Sequence, residues 1–328
     1  MRMVIKMIRY GILSTASIVG RFIAGIKESQ AGEVYAIASR TVAKAKEAAL
    51  QYDIKNYYGS YEELYEDKNI DVIYIPTVNG LHYRDCQNAL LHHKHVIVEK
   101  PFTLTSVEAQ KLFDLAKQNQ CFLMEAQKCV FLPTTLQLKK IIEQNMIGDI
   151  RYIELKAGFP GRFDYDHWMY DLSMGGGALY GSATYTIELM QFLFDNPHFQ
   201  IDGSCIKCPT GSDEICNFQL KMNHQILVSS TIAMNVPLKN EAVFYGDKGY
   251  IVIPNYWKSN HLDIYFHNGE TKHYDFPYQS EFVYEINHIH ECLKQQLLTS
   301  PIMTPARTME ATHLVETLYQ KWQEDTNE

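Results

Sequence analysis

Lys100 follows Glu99 directly at the end of a short apolar run, His95-Val-Ile-Val. An ammonium at the end of a buried strand can donate a hydrogen bond to a bound hydroxyl or carbonyl. There it stabilises the oxygen charge that changes when a hydride moves. A lysine is also an ordinary surface ion-pair partner, and residue type alone leaves both uses open. A second segment is Gly11-Ile-Leu-Ser14-Thr15-Ala16-Ser17-Ile18-Val19-Gly20. Small residues between a strand and a helix let the backbone turn tightly and approach a pyrophosphate at the helix N-terminus. Ser14, Ala16 and Val19 stand where glycines are usual, so these letters alone describe any strand-to-helix turn. Their place in a βαβ unit is what marks them, and Ser14, Thr15, Ala16, Ser17 and Ile18 are the candidate contacts. The third segment is Ser39-Arg40-Thr41, about twenty residues on, where an acid usually grips an adenosine ribose. An arginine suits a 2′-phosphate instead, with Lys44 one helical turn further. The expected cofactor is therefore NADP(H), ahead of NAD(H).

The elements that must hold these groups follow from the apolar pattern. Ile8–Leu13, Val34–Ser39, Val72–Ile75, Val96–Glu99 and Phe122–Glu125 read as strands. Phe22–Gln30, Thr41–Tyr52, Glu62–Glu66, Leu81–His93 and Ser106–Gln118 read as helices between them. This alternation predicts an α/β Rossmann domain, a parallel doubly wound sheet with ligands at the carboxyl ends of its strands. Thr77, Asn79 and His82, after the Val72–Ile75 strand, then join Glu99 as candidate cofactor contacts. Past residue 126 the rhythm changes. A helix at Pro133–Gln144 leads into Asp149–Phe159, then Phe218–Met222, Gln225–Ala233, Glu241–Tyr245, Tyr250–Ile253 and Leu262–Phe266, separated by turn residues. Helices at Tyr278–Gln296 and Ala306–Glu324 close the chain. The expectation is an α+β domain with a large, mostly antiparallel open sheet, giving domains 1–126 and 127–328.

Composition narrows the class. The 328 residues are 46% hydrophobic and 21% charged, ample for two cores and unlike a disordered chain. A formal charge of −8 excludes a broad basic field for nucleic acid, although not a local phosphate pocket. No apolar run approaches a membrane span, and no signal-peptide pattern follows the start. Seven scattered cysteines fit free thiols and a reducing compartment, with the cytoplasm as the expectation. Cys205-Ile-Lys-Cys208 lacks a second pair at zinc spacing, and of the clustered His92, His93 and His95 the first two read as the solvated end of a helix, so no metal is expected.

Glu99-Lys100-Pro101 after His95-Val-Ile-Val resembles the glucose–fructose oxidoreductase/inositol dehydrogenase (Gfo/Idh/MocA) family. So do Asn79 and His82 in N-x-x-H, Met124-Glu125-Ala126, Asn145-Met-Ile-Gly148-Asp149-Ile150, Gly175-Gly176-Gly177-Ala178-Leu179-Tyr180 and Ser300-Pro301-Ile302-Met303. The resemblance covers nearly the whole chain and is strongest to its dihydrodiol dehydrogenase and glucose–fructose oxidoreductase branch. It implies an NADP(H)-dependent oxidoreductase acting on a sugar, polyol or related hydroxy/keto compound, assembled as a homodimer or homotetramer. It also implies that Lys100 orients the substrate oxygen and Tyr185 exchanges its proton. By residue type alone, Tyr185 is one of 22 tyrosines and reads as a packed aromatic. Three departures stand out. Gly181 replaces a frequent Asp, Ala183 replaces a glycine, and Lys128-x-Val130 replaces Trp-x-Arg, so that Lys128 is a candidate cofactor-side cation. Arg162 and Trp168, in the loop before the triple glycine, are candidate substrate contacts. The loss at Gly181 also favours a second reading, a catalytically weak dinucleotide- or sugar-sensing regulatory protein of the same fold.

Overall fold

The structure, a computed structural model, describes residues 7–159, 161 and 164–324. The chain forms two compact units. One takes the chain up to Thr103, Val107–Lys128 and Gln279–Thr308; the other takes Leu104–Ser106, Cys129–Tyr278 and the chain from Met309.

The first unit is doubly wound. Its elements are β1 (Ile8–Leu13), α1 (Val19–Ser29), β2 (Gly32–Ala38), α2 (Val42–Tyr52), β3 (Asn56–Tyr58), α3 (Tyr61–Glu66), β4 (Val72–Ile75), α4 (His82–Leu91), β5 (His95–Glu99), α5 (Ser106–Gln118) and β6 (Leu123–Ala126). The sheet runs β3-β2-β1-β4-β5-β6 with every pair parallel. The order reverses between β1 and β4, and it is outside the carboxyl ends of strands at such a switch point that ligands bind in open sheets of this kind. The short edge strand β3 is absent from the sequence reading, because Asn56-Tyr-Tyr is too short to show a period.

The two units depart from the boundary of 1–126 and 127–328 at residues 104–106, which fall in the second, at residues 127–128, which fall in the first, and at one long segment. Gln279–Thr308, with helix α8 (Val283–Lys294), packs into the first unit rather than the second. The cause is local. A Cβ at Gly25 of α1 would lie 2.7 Å from Phe282 Cβ and 2.8 Å from Ile286 Cδ1, so only glycine allows the helices to approach this closely. Phe22 stacks on Tyr74 at 3.6 Å and meets Phe282 edge-on at 5.8 Å. The Ser280 amide donates to Glu28 at 2.8 Å, Arg21 pairs with Glu281, and the Leu123 amide reaches Leu298 O at 3.1 Å.

In the second unit, α6 (Pro133–Glu143) and β7 (Ile150–Gly158) precede α7 (Ala178–Leu193). The strands β8 (Phe199–Lys207), β9 (Asp213–Met222), β10 (Ile226–Ala233), β11 (Glu241–Gly246), β12 (Gly249–Pro254), β13 (His261–Phe266) and β14 (Thr271–Asp275) follow. Helix α9 (Pro305–Glu324) ends the chain. The eight-stranded sheet runs β14-β13-β12-β11-β7-β10-β9-β8 and is antiparallel except for the β7–β10 pair. Helix α7 is buried along almost its whole length against β9 and β10. One cross-strand row carries Tyr265, Tyr250, Tyr245 and Tyr152, each stacked on the next. Among the described residues no helix is long and apolar enough to cross a membrane.

Candidate active site

The turn after β1 is built around Ser14, whose φ of 117° is one that side-chain-bearing residues rarely adopt. Three hydrogen bonds hold it there. Its amide donates to Ala38 O at 3.0 Å, its Oγ donates to Pro76 O at 3.3 Å, and the Ala16 amide donates back to Oγ at 3.3 Å. Ser14 thus ties the ends of β1, β2 and β4 together. Thr15 and Ser17 are exposed, and Ala16 and Ile18 half-buried. Helix α1 starts at Ile18 with no side-chain cap and no acid in its first turn. Its first-turn amides and the positive end of the helix dipole therefore face no carboxylate of their own, which suits a pyrophosphate.

Ser39 is buried at the end of β2, with Arg40 exposed beyond it. Thr41 uses its hydroxyl to cap α2, accepting from the Lys44 amide at 3.4 Å. Thr41 therefore serves the helix, while Arg40 and the exposed Lys44 hold cations beside the turn. Thr77 Oγ1, at the end of β4, is buried without a partner among the described residues. An unsatisfied buried hydroxyl at such a strand end fits a dinucleotide contact. Asn79 is buried in the following single turn. His82 is fully buried and places its two ring nitrogens 2.8 Å from Pro101 O and 3.1 Å from Thr77 O. Burial pushes its pKa down, and its ring braces the strand ends.

Glu99 accepts a 2.6 Å hydrogen bond from Tyr74, and Lys100 follows it, half-buried, leading into a cis peptide bond to Pro101. Lys128 is buried, with its ammonium 4.9 Å from the centre of the Phe282 ring. Beside it the sequence reading missed Glu285. This acid falls on the apolar stripe of α8 with Val283, Ile286 and Ile289. A carboxylate on a buried stripe was the available signal.

In the second unit, Tyr185 sits on α7, 7% exposed, with its ring 6.3 Å from Trp257. Trp257 in turn meets the exposed Phe159 at 5.7 Å. A Cβ at Gly181 would meet nothing within 4 Å, so the position has room for the missing Asp. Trp168 is half-buried beside His167, and Arg162 lies outside the described residues. The sequence reading also missed Asp213. Its buried carboxylate accepts from the Leu179 amide at 2.7 Å and from Tyr319 Oη at 2.7 Å, closing the start of α7. Burial raises its pKa to about 6 against those hydrogen bonds.

All seven cysteines are free thiols; Cys205 faces Cys216 across β8 and β9. Glu62, Glu66 and His92 bring three possible ligand atoms within 4.8 Å of one another, and both acids are exposed.

A doubly wound sheet with an acid-free helix start after β1 and a lysine at the end of β5 fits one class, the NAD(P)-dependent oxidoreductases. Residues 8–127 match the model of an oxidoreductase family with an NAD-binding Rossmann fold, and residues 135–252 match the GFO/IDH/MocA C-terminal domain. A trans-1,2-dihydrobenzene-1,2-diol dehydrogenase of Xenopus laevis is 30% identical over 334 residues, covering 95% of this chain and 97% of the relative. That of Mus musculus is 30% identical over 324 residues, covering 94% and 95%. A 3-ketoreductase from Actinomadura kijaniata, solved with NADP and TDP-benzene, superposes with a TM-score of 0.88. It is 22% identical and the match covers 96% of this chain and 98% of that one. The chain belongs to the Gfo/Idh/MocA oxidoreductase family.

Proposed function

We propose that this chain moves a hydride between NADP(H) and a carbinol or carbonyl carbon of a sugar, polyol or related ring compound. The observation that carries this reading is Lys100, held half-buried at the carboxyl end of β5 in a sheet whose dinucleotide turn is free of acid. Ser14 to Ile18, Ser39, Arg40, Lys44, Thr77 and Asn79 would hold the dinucleotide, which supplies or accepts the hydride when bound. Lys100 donates a hydrogen bond to the substrate oxygen and stabilises its developing charge. By the family resemblance, Tyr185 Oη would be the group that exchanges the substrate's proton. Trp257 beside Tyr185, with Phe159 against Trp257, offers an apolar flank to the C–H face of a ring, in keeping with relatives named for a dihydrobenzenediol. We also assign assembly into a homodimer or homotetramer to the tyrosine row of the open sheet, and the cytoplasm as the compartment.

The test is turnover over a panel of cyclic sugars and diols with NADP+ and NADPH. Lys100→Ala lowers kcat by about a hundred- to a thousandfold while leaving cofactor affinity near its original value. Unchanged turnover makes Lys100 structural. Arg40→Asp lowers the preference for NADP(H) over NAD(H) by about ten- to a hundredfold; equal affinities in the unmodified chain end that assignment. The vacant side-chain position at Gly181 favours one alternative, a weakly catalytic sensor of the same ligands. Tyr185→Phe separates the two, abolishing turnover in an enzyme and altering only affinity in a sensor.

A further inference from the structure

Glu285 is fully buried in the first unit, and no side chain among the described residues donates a hydrogen bond to either carboxyl oxygen. An ionised carboxylate in that position would be costly. The groups that face it come from several elements. Glu99 stands at the end of β5, Glu125 on β6 and Lys128 in the turn that follows β6, while Tyr10 approaches from β1. His290 lies on the same helix and against the Tyr10 ring at 5.8 Å. Glu99 and Glu125 accept from donors of their own, Tyr74 Oη at 2.6 Å and the Phe102 amide at 3.1 Å. Lys128 is the opposing cation, with its ammonium also over the Phe282 ring. Burial foremost, then Glu99, pushes the Glu285 carboxyl well above the ordinary range, against Lys128 and the backbone amide of Gln127. Glu99, Glu125 and Lys128 thus surround a fully buried acid that no side chain donates to, and it keeps its proton.

Glu99 also immediately precedes Lys100, at the strand end where the dinucleotide reading places the nicotinamide. The oxidised nicotinamide carries a positive ring charge that the reduced ring lacks. We propose that Glu285 is a redox-linked proton store, releasing its proton when NADP+ binds and holding it when NADPH binds. This inference rests on the cofactor reading above. The balance is simple. The Glu285 O–H bond breaks on NADP+ binding and the proton passes to solvent. When the substrate alcohol gives its hydride to the ring, the ring charge disappears and Glu285 takes up one proton, matching the one the alcohol loses. The hydride step is then proton-neutral overall, and the net proton of the reaction leaves at cofactor exchange.

Calorimetric titration of the full chain with NADP+ and with NADPH, at one pH in two buffers of different ionisation enthalpy, counts these protons. NADP+ releases up to one proton more than NADPH, and its dissociation constant falls by up to about tenfold per pH unit while that of NADPH does not. Glu285→Gln copies the neutral acid in shape, so it folds, binds both forms and erases the difference. Equal proton counts in the unmodified chain, or a difference that survives Glu285→Gln, overturns the proposal. A second measurement needs no cofactor. Because the folded chain holds this proton more tightly than the unfolded chain, stability from Glu285 is present at low pH and lost as pH rises above the ordinary glutamate value of 4.5. The melting temperature of the unmodified chain therefore falls relative to Glu285→Gln between pH 5 and 8; a parallel pair of curves overturns the proposal. If neither dinucleotide binds, the cofactor reading fails and the linkage with it, while the melting curves still decide whether Glu285 carries a proton.

Discussion

Helix α7 begins directly after Gly177, whose φ is 114°, and α1 follows a turn that opens on Ser14, whose φ is 117°, yet their N-termini are finished in opposite ways. At α7 the protein supplies its own anion. Asp213 takes the Leu179 amide, Tyr319 fixes the carboxylate, and the whole arrangement is buried. At α1 there is no side-chain cap and no acid, and the first turn carries Arg21 instead, paired with Glu281. A helix start closed by a buried carboxylate holds a framework together. One left without a carboxylate, at the carboxyl edge of a doubly wound sheet, is ready for an anion from outside. The closed start carries Tyr185, and the open one lies in the sheet that carries Lys100.

The largest effect expected from this contrast is at the closed start. A Cβ at Gly177 would lie 2.2 Å from Asp213 Oδ1, in a backbone conformation that alanine adopts only under strain. Gly177→Ala should cost about 3 kcal/mol or more in denaturant unfolding. Ser14→Gly, at the matching φ of the open start, removes strain but also the Ser14 Oγ bonds, and should shift stability by less than about 1 kcal/mol. Similar losses in both variants would erase the distinction between the two starts.

Asp213 gives the closed start a pH signature. Its folded pKa of about 6 lies above the ordinary 3.8, so the folded chain binds this proton more tightly than the unfolded one. The stability it contributes is full below pH 3.8 and is lost as pH rises through 6. Relative to Asp213→Asn, the unmodified chain should lose roughly 2 kcal/mol between pH 4 and 6. Unfolding at pH 4, 5, 6 and 7 measures it, and a constant difference would show that the carboxylate titrates at its ordinary pH. The start of α1 has no capping carboxylate to give it a corresponding dependence.

These two starts were unequally legible in the sequence. The open one could be read, because Ser14 to Ile18 lie between an apolar strand and an amphipathic helix, and local spacing fixes the turn. The closed one could not. Gly175-Gly176-Gly177 signalled a special backbone, but its partners Asp213 and Tyr319 come from distant positions in the chain, and only the folded unit joins them. The same limit hid the return of Gln279–Thr308 to the first unit, which depends on Gly25 admitting Phe282. Glu285 was different. Its place on the apolar stripe of α8 is visible in the sequence, but such a stripe by itself implies only packing and gives the acid within it no role. Lys100 was legible by position, whereas Tyr185 needed the family resemblance, since nothing local separates it from other buried tyrosines.

The smallest effect is also the most discriminating, because stability and binding should move in opposite directions. Ser17 is exposed and sits one residue before the Ile18 start of α1. An aspartate there places a negative charge at the positive end of the helix, as Asp213 does for α7. Ser17→Asp should therefore stabilise the chain by about 0.3–1 kcal/mol, an effect that shrinks with added salt. If the open start is the pyrophosphate site, the same charge repels the ligand, and the dissociation constant for NADPH should rise about tenfold or more. Melting in the absence of cofactor and fluorescence titration with NADPH give the two numbers. A gain in stability with unchanged NADPH affinity would show that the start of α1 is open without being the anion site, and the contrast between the two helices would then concern capping alone.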